Sequence, residues 1–80
     1  MSNHIVCTWD QFYVKDYERH VENDNLWHGL HIYCPTFRDM ERVRMRIVGY
    51  ARVRNHSIYA TKLDKRTLYV KIMGRLHLDK

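Results

Sequence analysis

The chain has 80 residues, with 45% apolar and 29% charged side chains, one proline, three glycines and a formal charge of +5. That composition excludes a disordered or low-complexity chain, and no apolar run approaches the roughly 18–20 residues of a membrane-spanning helix. It fits a single small domain over residues 1–80, which would bury only about 60–65% of its unfolded surface.

Met1 to Asp10 contains no charged segment followed by an apolar one, so the expectation is a non-secreted, cytoplasmic protein. Cys7 and Cys34 then read as reduced, packed thiols. Residues 4–7 could form a short strand. Thr8-Trp9-Asp10-Gln11 is a capping-box pattern, and it predicts a helix over Trp9 to Glu22. Trp9, Tyr13, Tyr17 and Val21 would form its aromatic stripe, with Gln11, Lys15, Glu18, Arg19 and Glu22 on the wet side. Asn23-Asp24-Asn25 reads as its stop. Leu26 to Cys34 reads as a strand weakened by Gly29. Cys34-Pro35-Thr36 breaks it, and Thr36-Phe37-Arg38-Asp39 could cap a short helix ending near Arg42.

Residues 43–54 alternate. Val43, Met45, Ile47, Gly49, Ala51 and Val53 fall on one side of an extended chain, and Arg44, Arg46, Val48, Tyr50, Arg52 and Arg54 on the other. We read this as a strand with one buried face and one arginine-studded face. A competing reading makes residues 36–54 one helix, with Met40, Val43, Ile47, Tyr50 and Ala51 on its core side. It leaves Met45, Val48 and Val53 exposed and Gly49 in mid-helix, so the strand is preferred. Next come a turn at Asn55-His56-Ser57, a strand Ile58–Leu63, a turn at Asp64-Lys65-Arg66 and a strand Thr67–Met73. In that hairpin Tyr59, Thr61 and Leu63 are placed with Leu68, Val70 and Ile72. Ile58, Ala60 and Lys62 are placed with Tyr69 and Lys71. The assembled expectation is an α+β domain. An N-terminal amphipathic helix packs on a three- to five-stranded, mostly antiparallel sheet with a C-terminal meander.

Charge is divided along the chain. Residues 1–35 carry two bases against five acids, a net of −3, and residues 36–80 carry twelve bases against four acids, a net of +8. A basic half of this kind points to a polyanion. On the strand reading, Arg44, Arg46, Tyr50, Arg52, Arg54, Lys62, Tyr69, Lys71 and Arg75 become neighbours on an open sheet face. Cations between exposed tyrosines suit nucleic acid, with RNA or single strands preferred over duplex DNA, because the charges meet phosphates and the rings stack bases. If residues 36–54 are helical, Arg38, Arg42 and Arg46 form a stripe suited to duplex DNA instead. A second class of function also fits: a small inhibitor, of the kind encoded by viruses or mobile elements, whose arginines meet an acidic surface on a host protein.

His28, His31 and Cys34, with Cys7, could in principle supply four zinc ligands, but there is no Cys-x-x-Cys pair. On a strand His28 and His31 would point to opposite faces. Neither a metal nor another cofactor is expected. No nucleophile motif or phosphate-binding loop is present. A metal-free ribonuclease would need a base, an acid and a cation, for which His56, Tyr69, Arg75 and His77 are the candidates.

Glu41-Arg42, Arg46 to Tyr50, Ser57 to Thr61 and Leu68 to Arg75, with Trp9-Asp10 before a helix ending at His20, resemble the RelE-type ribonuclease toxins, the BrnT branch in particular. The likeness covers about half of the chain as pattern, with few identities. It implies a helix on an antiparallel sheet, messenger-RNA cleavage and an antitoxin partner, and Arg75 would match the family's C-terminal arginine. The chain departs from the family in three ways: the lysine of the first helix is displaced, no glycine follows His20, and there is no clear terminal tyrosine.

Overall fold

In a computed structural model of the protein, residues 4–6 and 8–76 are described. The chain runs through β1 (His4–Val6), a 3-10 turn (Trp9–Gln11), α1 (Val14–Glu22), α2 (Asn25–His28), β2 (Leu30–Tyr33), α3 (Phe37–Val53), β3 (His56–Lys62) and β4 (Thr67–Arg75). Among the described residues the strands form one sheet in the order β1-β2-β4-β3. β1 runs parallel to β2, and the other two pairings are antiparallel. The domain is α+β, with helices on one side of a mixed sheet.

The largest departure from expectation is α3. Residues 43–54 are not a strand, so the three-stranded meander reduces to the β3–β4 hairpin. Two patterns coexist in this segment, and the helical one wins because its start is strongly marked and nothing stops it. Thr36 is an extended N-cap whose hydroxyl accepts the Asp39 N–H at 3.0 Å, and Asp39 sits favourably in the first turn. No glycine cap or proline follows until Asn55, which adopts φ 59° and ends the helix. Met40, Val43, Ile47 and Ala51, spaced three or four apart, are fully buried. Met45 and Val53 stand in solvent.

Gly49 lies on the exposed side of α3, with nothing near the position of an added Cβ. Gly49→Ala should therefore stabilise the fold by about 0.5–1 kcal/mol. A thermal melt would show this as a rise of about 2–8 °C. An unchanged or lower melting temperature would contradict a helical Gly49.

The N-terminal helix is also shorter than expected. Gln11 closes the 3-10 turn by accepting the Thr8 N–H at 2.9 Å. The chain then extends at Phe12, which drops into the core, and restarts as α1 with Asp16 accepting the Tyr13 N–H at 2.9 Å. This break shifts the helical phase. Phe12, Tyr17 and His20 are buried, while Tyr13 is half exposed. The expected strand over Leu26 to Cys34 is a helical turn, α2, followed by β2. Gly29 separates them at φ 112°, a backbone conformation that favours glycine.

One core joins the layers. Leu30 and Ile32 of β2, with Leu68, Val70 and Ile72 of β4, pack under α3, α1 and α2. Among the described residues no helix is long and apolar enough to cross a membrane.

Candidate nucleic-acid interface

The hairpin turn decides what the other side of the sheet displays. Asp64 Oδ1 accepts the N–H groups of Arg66 and Thr67, each at 2.8 Å. These bonds, the Arg66 N–H foremost, hold its carboxyl below the usual range. The Leu63 N–H donates to the Thr67 carbonyl at 2.9 Å, so three residues form the loop and odd positions pair with odd positions. Tyr59 and Thr61 therefore lie on the face of Tyr69 and Lys71, opposite Leu68, Val70 and Ile72. The expected face assignment of β3 is corrected by one residue.

No described element covers that second face. His4 stacks on His31 with ring centroids 4.6 Å apart and planes 20° apart. His31 lies 5.0 Å from the Tyr69 ring, and Tyr69 lies 6.3 Å from Tyr59. The rings thus cross all four strands in the sheet order. Val6, Tyr33 and Met73 extend the face and are 73%, 44% and 62% exposed. Lys71, in register with Tyr59, is a cation on this face. Tyr69 is held from below: a methyl group on Gly29 would overlap its hydroxyl and lie 2.8 Å from its Cε1. Glycine at position 29 is thus required both by its positive φ and by the approach of this ring.

The cations expected on this face are elsewhere. Arg44, Arg46, Tyr50, Arg52 and Arg54 all belong to α3 or its C-cap. Arg46 Nη1 donates to the Phe12 carbonyl at 3.0 Å, and its guanidinium lies over Tyr13. Arg54 pairs with Glu18 and lies over Tyr17. Tyr50 is half buried, 5.9 Å from the Tyr17 ring. Arg44 and Lys62 both bridge to Glu41, and Lys62 also sits over Phe37. Their charges, the Lys62 hydrogen bond foremost, keep the Glu41 carboxyl below its ordinary range. Arg75 lies over Trp27. Several of these cations therefore clamp elements together. Of the expected set, Tyr69 and Lys71 are on the open face.

The ribonuclease candidates are not assembled. His56 is 6% exposed on the helix side, where its Nδ1 lies 2.8 Å from the Tyr17 hydroxyl, whereas Tyr69 is on the opposite face. His77 lies outside the described residues. His28 ends α2, His31 is in the ring row and Cys34 is buried in the core. Cys7 lies outside the described residues, among which no group of three metal-capable side chains occurs.

His20 and His56 are buried imidazoles. Burial pushes both imidazoles below their ordinary value of 6.5. Arg19 adds to the effect at His20 against an opposing Asp16, and Arg75 and Arg54 add to it at His56. At His20 the Asn25 amide sits 3.0 Å from Nδ1, where its N–H can donate only to a neutral ring. The unfolded chain takes up these protons near the ordinary value and the folded chain resists them. Their stability contribution is therefore complete above about pH 6.5 and falls as pH drops toward the lower folded values. Melts between about pH 7.5 and pH 5 should show a falling melting temperature. A flat or rising one would contradict the neutral buried rings.

Comparison with known proteins leaves this geometry as the basis for a functional reading: no family model matches the chain, and neither a curated protein nor a solved structure shows significant similarity to it.

Proposed function

We propose that the chain binds single-stranded nucleic acid, RNA in particular, across the open sheet face. The observation that carries this reading is the row His4, His31, Tyr69 and Tyr59 on a face that no described element covers. A face intended only to be solvated has no use for stacked rings beside exposed Val6, Tyr33 and Met73. Unstacked bases can lie on such rings, with room for about two or three of them. Lys71 is placed to meet a phosphate, and Thr61, in register with Tyr69, offers a hydroxyl to a ribose 2′-OH.

A specific observation also favours a second reading. The outward side of α3 carries Arg38, Arg42 and Arg52 in one stripe, and Arg38 and Arg52 make no ion pair among the described residues. That stripe suits the phosphates of a duplex.

Salt dependence separates the two. Stacking on a face with one lysine predicts that the slope of log affinity against log salt is shallow, about −0.7 to −2 for one to three neutralised phosphates. Fluorescence anisotropy with single-stranded and duplex oligonucleotides over a salt series would measure it. Preference for the single strand with a shallow slope supports the sheet face. Preference for the duplex with a steep slope supports α3, and binding to neither refutes both.

A further inference from the structure

The outer edge of β3 supports an interaction independent of the ring face. β3 ends the sheet, and the Leu63–Thr67 hydrogen bond sets which of its backbone groups point away from β4. They are those of Ile58, Ala60 and Lys62. Natural edge strands are guarded by charges, proline or short length. A bulge at Ser57/Ile58 and the charge of Lys62 guard its two ends, and Ile58 to Thr61 between them carries neither charge nor proline. α3 packs against β3, and Glu41 of α3 pairs with Lys62 at this strand's end. Beside that pair, Arg44, Ala60, Thr61 and Lys62 line a groove of about 370 Å³. Arg44 Nε is buried there without a hydrogen-bond acceptor among the described residues.

We propose that this edge takes up an extended, acidic segment of a partner protein as a fifth strand. Backbone pairing with Ile58, Ala60 and Lys62 gives the affinity. A carboxylate on an inward-facing position takes the place of Glu41 on Arg44 and Lys62, and the released Arg44 side chain turns its buried Nε to it. A second copy of the chain fits poorly. It would offer a basic edge to a basic edge, between two chains that each carry +5.

The test uses the full chain, isotope-labelled, with a nine-residue peptide of alternating threonine and glutamate as probe. The peptide should protect the amides of Ile58, Ala60 and Lys62 from exchange. A peptide with lysine in place of glutamate should not bind. Arg44→Gln should weaken binding about tenfold or more. Ala60→Pro, which removes an outward N–H but no bond to β4, should abolish strand addition while single-strand nucleic acid still binds. Melting curves of both variants establish that they fold. Protection absent from these amides, equal binding of the lysine peptide, or an oligonucleotide occupying this edge instead would overturn the proposal. So would self-association through β3, read by sedimentation.

Discussion

Replacing His31 and Tyr69 together by alanine should cost about a hundredfold or more in affinity for a single-stranded oligonucleotide. Each base stacked on an aromatic ring is worth about 1–3 kcal/mol by alanine substitution. Two adjacent rings are not independent, so the sum is an upper bound. The two side chains are consecutive members of the row, 5.0 Å apart on neighbouring strands, and their loss leaves His4 and Tyr59 too far apart to act as one surface. Both lie outside the core, so the double variant should still melt cooperatively. An affinity within a few fold of the parent would remove the platform from the account. A comparable loss from Arg38→Ala combined with Arg52→Ala would move the contact to α3.

The second large effect concerns the helix itself. Ile47→Ala should destabilise the protein by about 2–5 kcal/mol, because it opens a cavity in a fully buried position between α3 and the sheet. For a domain of this size that lowers the melting temperature by about 10–30 °C, and much of the total stability is lost. Met45→Ala, two residues away, should change stability by less than about 0.5 kcal/mol, because Met45 is 61% exposed. A strand would place both residues on its buried face and make their costs similar. The asymmetry between them, measured by urea denaturation, therefore separates helix from strand.

These two residues also show what could be read from the sequence. Val43, Ile47 and Ala51 satisfy a helical spacing and an alternating one at once. Periodicity over so short a stretch does not arbitrate. The ends of the segment do arbitrate, through the Thr36 cap and the lack of any terminator before Asn55. Gly49 in mid-helix argues weakly against a helix, because an exposed helical glycine costs only about 1 kcal/mol.

The ring row was legible in part. The sequence marks a turn at residues 64–66, and a three-residue loop pairs position 63 with position 67. That parity alone puts Tyr59 on the face of Tyr69. His4 and His31 were harder to see. Their contact depends on the parallel register of β1 against β2, which no local pattern encodes. The arginines misled for a physical reason. Charge composition reports an attraction to anions but not where each cation is spent, and Arg46 and Arg54 are spent on holding α3 to the N-terminal segment and α1.

The most direct measurement is a nuclear magnetic resonance titration of the labelled chain with a short single-stranded RNA, following the aromatic side chains. Bases stacked on the ring row should shift the His31, Tyr69 and Tyr59 ring protons upfield, with contacts from those rings to base protons. Shifts confined to Arg38, Arg42 and Arg52 on α3, or rings unmoved at saturating RNA, would contradict it.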